Sequence, residues 1–149
     1  MTLALTLGSM NHLGITVSDL EASTERFYSP LLSFLGYQLV ESLPEMSLWI
    51  ASGGFAVNLW QAHPEHTGKA AERYAPGFHH FAFNADSRQE VDGCYALLQR
   101  EGIEILDAPA AYDYAPGYYA VFFADPDGLK FELVHIPPEA LAQAGAAAG

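Results

Sequence analysis

The sequence predicts an α+β fold made of two tandem βαβββ modules with their helices outside. Three observations carry that expectation. Short strands with apolar alternation flank two capped helical runs. The elements of the first half recur in the second: histidines 12 and 80 are 68 positions apart, cap serines 18 and 87 are 69 apart, and stop glycines 36 and 102 are 66 apart. Each half also closes on a strand with Asn58 or Glu132 four residues after a glycine, Gly54 or Gly128. A near-constant offset through strand, cap, helix and stop marks duplication of one unit.

Composition narrows the partners. The chain has 149 residues, half of them apolar, which suits one compact domain with a substantial core. Its net charge of −12 argues against nucleic acid or an anionic membrane as partner. No apolar run approaches the ~20 residues of a membrane span. Met1–Ser9 is apolar but lacks the basic start of a signal peptide, and is read as an N-terminal extension. The lone Cys94 reads as a small buried helix residue in a reducing, cytoplasmic compartment.

In chain order, Leu13, Ile15 and Val17 share one face of a first strand, with His12, Gly14 and Thr16 on the other. Ser18-Asp19-Leu20-Glu21 reads as a capping box, and the helix after it stops at Gly36, with a kink or break expected at Pro30. Strands follow at 37–41, 47–51 and 55–60. A polar connection, 61–77, joins module 10–60 to module 78–136; His63 and His66 within it read as solvated loop residues rather than ligands. The second module repeats the pattern with His79-His80-Phe81-Ala82-Phe83, a cap at Ser87, and strands at 103–106, 118–124 and 129–135. Residues 137–149 read as a flexible Ala/Gly-rich tail.

Asp125-Pro126-Asp127-Gly128 is turn chemistry, and alternation resumes directly after it. Phe131 and Leu133 fall on one face, Lys130, Glu132 and Val134 on the other. The same parity puts Asn58 opposite Val57 and Leu59, and separates His80 from the phenylalanine side on which His79 falls. His12, His80, Glu132 and Asn58 thus occupy the less apolar, concave face. A His–His–carboxylate set is the minimum of a divalent-metal site.

With these motifs in place, the chain resembles the glyoxalase/bleomycin-resistance/extradiol-dioxygenase superfamily, the vicinal oxygen chelate proteins. The resemblance covers about residues 10–136 and rests on residues 11–20, 27–32, 35–37, 79–83 and 125–133. It implies a curled, cup-like mixed sheet with a divalent ion (Fe, Mn, Zn or Ni) held by His12, His80 and Glu132. Where glyoxalase I-type members carry a carboxylate, this chain has Asn58, a weak ligand in a possible fourth position and no base. Proton shuttling between two carboxylates is therefore unavailable. Lewis-acid activation of a chelating substrate, or iron(II) oxygen chemistry, fits three ligands better.

The function expected is that of a metal-dependent lyase, isomerase, transferase or ring-cleaving dioxygenase acting on a small oxygenated compound. The alternative is a non-catalytic binding protein of the bleomycin-resistance type. Trp49, Trp60, Tyr112 and Tyr119 are the expected pocket residues. There is no basic cluster of the kind that would hold a phosphonate or glutathione carboxylates tightly, so small, aromatic or weakly charged substrates fit better. The expected partners are a small-molecule ligand and, for an apolar chain with sheet edges, a second copy in a homodimer.

Overall fold

A computed structural model of the chain describes residues 6–148. Residues 1–5 of the expected extension, and residue 149, lie outside the described residues. The chain divides into two compact units, Met1–Lys69 and Ala70–Gly149, a boundary inside the expected 61–77 connection. One end of that connection is tied to each unit. Gly68 donates its backbone N–H to Ser18 Oγ (3.0 Å), and Ala71 donates to the Asp127 carbonyl (2.8 Å).

The first unit runs β1 (His12–Val17), α1 (Leu20–Ser23), a π-helical turn (Thr24–Tyr28), α2 (Ser29–Phe34), β2 (Tyr37–Ser42), β3 (Met46–Ala51) and β4 (Ala56–Gln61). Its sheet has the order β1-β4-β3-β2, with β1 and β4 parallel and the other pairs antiparallel. The second unit runs β5 (Phe81–Asn84), α3 (Arg88–Arg100), β6 (Glu104–Ala111), β7 (Tyr119–Ala124), β8 (Lys130–His135) and α4 (Pro138–Ala148). Its sheet order, β5-β8-β7-β6, repeats the first. Each βαβββ module thus builds its own four-stranded mixed sheet, with its first and last strands paired in parallel at one edge.

Parity fills the two cores. Ile15, Val17, Val57 and Leu59 are buried in the first unit, and Phe83, Phe131 and Leu133 in the second. The helices cover these faces with Leu20, Phe27, Leu31 and Leu32, and with Val91, Cys94 and Leu98. No described helix is long and apolar enough to cross a membrane.

Three local expectations change. The first cap is Asp19 rather than Ser18: Asp19 Oδ1 accepts from Ala22 N at 2.9 Å, while Ser18 Oγ is occupied by Gly68. Pro30 produces no break. A π-helical turn precedes it, widening the spiral where a proline lacks its N–H and would crowd the carbonyl four residues back. Within the Ala/Gly-rich tail, residues 138–148 form α4, a helix not expected from the sequence, although none of its residues is buried. Pro at the first helical position followed by Glu, Ala, Leu and Gln is strong helix-forming sequence. The second cap follows expectation: Ser87 Oγ accepts from Glu90 N at 3.2 Å, and Glu90 Oε2 accepts from Asp86 N at 2.6 Å. Both stop glycines, Gly36 and Gly102, take positive φ.

Candidate metal centre

Strand register creates the same constellation twice. In the first unit the parallel pair β1/β4 sets Gly14 opposite Asn58; in the second, β5/β8 sets Ala82 opposite Glu132. Each histidine stands two residues before that small residue, at the mouth of its pair. His12 opens β1, while His80 immediately precedes β5. The small residues matter, because a Cβ on Gly14 would come within 2.9 Å of Asn58 Oδ1.

The turn before β8 holds Glu132 at its position. Asp125 Oδ1 accepts from Asp127 N (3.0 Å) and Leu129 N (2.8 Å), and Gly128 takes φ +85°. Glu132 is then 1% exposed, although it carries a carboxylate. Burying such a group is costly unless its oxygens are satisfied, and here both are. Oε1 accepts from the Tyr118 hydroxyl, and Oε2 lies 3.1 Å from His80 Nε2. The His80 side chain remains 36% exposed, so the pair joins a buried acid to an accessible imidazole. His80 Nδ1 in turn lies 2.9 Å from His79 Nδ1, a contact whose donor depends on the tautomers.

Aromatic rings surround this pair. The Phe122 ring is 6.3 Å from that of His80, and Tyr112 packs against Phe122 at 5.6 Å and Tyr118 at 6.2 Å. Desolvation raises the Tyr118 phenol well above its ordinary pKa, helped by its hydrogen bond to Glu132 and by that carboxylate's charge. Tyr112 is raised by desolvation and then by Asp107, Tyr114 and Glu132. The His79 imidazole is pushed below its ordinary pKa by desolvation, then by the nearby charges of His80, Lys130 and Arg73.

In the first unit His12 is exposed, with Nδ1 2.7 Å from Asn11 Oδ1. Asn58 Oδ1 accepts from Trp60 Nε1 at 2.7 Å, so its carbonyl is already engaged. Trp60 is exposed on that face. Trp49 is elsewhere: it pairs with Val57, not Asn58, and is buried on the helix-covered side with its indole N–H unpartnered among the described residues. Tyr119 likewise faces away from Glu132. Its hydroxyl donates to Asp92 Oδ1 of α3 at 2.6 Å, and Arg88 sits 4.8 Å over its ring. His63 and His66 are exposed, His63 lying 3.9 Å from Glu65.

The structure therefore brings together His80 and Glu132, with Tyr112 beside them, and adds Tyr118. Among the described residues no group of three or more His, Cys, Asp or Glu side chains forms a ready metal cluster. Tyr118 could have been found by counting. β7 and β8 flank the tight turn, so Phe122 pairs with Glu132 and residues two and four earlier share that face.

Known proteins place the chain. The family model described as Glyoxalase/Bleomycin resistance protein/Dioxygenase superfamily matches residues 9–133. The uncharacterised protein YqjT of Bacillus subtilis is 34% identical over 126 residues, spanning 84% of this chain and 97% of that protein. The crystal structure of a candidate glyoxalase from Bacillus halodurans superposes with a TM-score of 0.77 at 31% identity, over 87% of this chain and 96% of that one. A glyoxalase/bleomycin resistance protein/dioxygenase from Nocardioides gives a TM-score of 0.63 at 28% identity, over 91% and 88%. With the match running through both βαβββ modules and their shared fold, the chain belongs to the glyoxalase/bleomycin resistance protein/dioxygenase superfamily.

Proposed function

We propose that the protein is a divalent-metal-dependent enzyme acting on a small oxygenated substrate by chelation. The observation that supports this most is the buried Glu132 carboxylate set against the accessible His80 imidazole. Their donor atoms could share one ion, since Nε2 and Oε2 stand 3.1 Å apart. An imidazole nitrogen with a carboxylate oxygen is also a donor set that Fe, Mn, Zn and Ni accept. His12, the repeat equivalent of His80, is the third ligand of this reading, and Asn58 the possible fourth.

A bound ion supplies Lewis-acid polarisation of a chelating substrate oxygen. The chain's own residues prepare that role. The Tyr118 hydroxyl fixes the carboxylate's orientation by holding Oε1, leaving Oε2 toward His80. Without an ion, His80 Nε2–H satisfies Glu132 Oε2; with one bound, the imidazole would carry its proton on Nδ1, directed to His79, and offer the Nε2 lone pair. Phe122 and Tyr112 exclude water from one side of the pair and offer ring faces to an aromatic substrate. Asn58 cannot accept a carbon-bound proton, which favours lyase, transferase or ring-cleaving chemistry over a two-carboxylate isomerisation.

Metal analysis of protein purified without chelator or nickel resin tests the reading. The expected result is about one divalent ion per chain, lost in His80→Ala. Wild-type protein that takes up no ion overturns it. A second reading, a non-catalytic small-molecule binder, draws on the full satisfaction of Glu132 by Tyr118 and His80 alone. In that case chelators leave ligand binding unchanged. Homodimer formation is part of the proposal, supported by the exposed Leu39 and Val40 of edge strand β2, and light scattering tests it.

A further inference from the structure

Few basic residues serve this acidic chain, and two of its six lysines and arginines converge. Arg73 and Lys130 line one cavity of about 210 Å3 in the second unit, together with His79. Glu72 is the acidic side chain on its wall, and Phe78 and Leu129 are apolar parts of it. Arg73 Nε is buried there with no hydrogen-bond partner among the described residues. Such an orphaned donor on a cation costs stability unless something accepts from it. Lys130 holds its ammonium 4.6 Å over the Phe122 ring, the ring that also faces His80. His79 joins the cavity to His80 through their 2.9 Å contact.

These groups share one chemistry. A guanidinium with a free N–H, an ammonium and an imidazole together take a compact oxyanion, for which Arg supplies geometry and Lys charge. A net charge of −12 repels anions from the rest of the surface, so binding here requires this local reversal of sign. The cavity volume suits one carboxylate or phosphate group rather than a whole large ligand.

We propose that the Arg73–Lys130–His79 cavity binds the carboxylate or phosphate group of a small ligand beside the His80–Glu132 pair. The ligand's identity as substrate rests on the proposed metal-dependent function, whereas anion binding is measurable without a metal. The sequence order suggests weakly charged substrates, because Arg73 and Lys130 lie far apart along the chain and only the fold assembles them.

The test is amide NMR of the 15N-labelled, metal-free full chain, titrated separately with phosphate and acetate at fixed ionic strength. Saturable shifts confined to residues 71–79 and 128–130 are expected. Arg73→Gln weakens binding at least about tenfold, as loss of a charge-assisted contact implies, while Arg100→Gln on α3 changes it by less than about twofold. A larger response to phosphate assigns a phosphoryl ligand; a larger response to acetate assigns a carboxylate. Shifts that never saturate, or equal weakening by both variants, overturn the proposal. If the spectrum shows Arg73→Gln unfolded, Lys130→Gln replaces it with the same expectation. Anion binding in a chain that takes up no metal sinks the metal reading and leaves this one standing; metal uptake without anion binding does the reverse.

Discussion

Tyr118 donates its hydroxyl hydrogen to Oε1 of Glu132, a carboxylate with 1% exposure, while His80 holds the other oxygen. A phenol one residue ahead of β7 thus keeps an acid satisfied inside the second unit. Removing it leaves a buried, half-partnered charge.

Tyr118→Phe should therefore be costly out of proportion to one oxygen atom. Urea denaturation should show a loss of about 1–3 kcal/mol. Metal affinity should fall on the order of 10- to 100-fold, the usual effect of losing a partner that orients a ligand. Unchanged stability and unchanged metal uptake together would remove Tyr118 from the centre.

Tyr119→Phe is the matched control one residue away. Its hydroxyl serves Asp92 at an exposed position on α3, and its ring lies under Arg88. Stability should stay within about 0.5 kcal/mol and metal uptake should not change. A metal defect equal to that of Tyr118→Phe would contradict the facing assigned to β7.

Burial pushes the Cys94 thiol from 9.0 up to about 12. A raised pKa in the folded state means the native protein keeps a proton that the unfolded chain releases. Stability is then complete below about pH 9 and falls as pH rises from 9 toward 12. Cys94→Ala should shallow that alkaline slope while lowering stability at pH 7 through the space it opens. Iodoacetamide at pH 8 should label the thiol only as fast as the core opens; rapid labelling of the native protein would refute the burial.

Gly14→Ala probes the first unit. The added methyl would meet Asn58 Oδ1 at 2.9 Å, so the amide must swing and release Trp60 Nε1. The loss should be about 0.5–1.5 kcal/mol, with a shifted indole N–H resonance for Trp60. An unmoved indole signal would show that Asn58 relaxes without letting go.

Much of this architecture was legible in the sequence, and the failures share a cause. Alternation located Glu132, Asn58 and His80 because Phe131, Leu133, Val57, Leu59, Phe81 and Phe83 mark the buried side unambiguously. Leu48-Trp49-Ile50 offers three apolar residues in succession, so period-two reading cannot say which side Trp49 takes. Only its pairing with Val57 decides. Tyr118 and Tyr119 pose the same ambiguity, settled by the pairing of Phe122 with Glu132. The Asp19 cap escaped because Ser18 and Asp19 are both good caps, and Gly68, fifty residues on, claims the serine. The basic cavity escaped because proximity of Arg73 and Lys130 is a property of the fold alone.

The fixed spacing between Gly128 and Glu132 makes this segment intolerant of length change. One codon inserted there would move Phe131 into the place of Glu132 and Glu132 into that of Leu133, putting a ring in the acid's niche and an acid on the helix-covered face. Such a lesion would abolish ligand chemistry and solubility at a stroke. Natural or engineered length variation should thus collect within residues 62–70 of the connection, after β4 ends and before the Arg73 cavity begins.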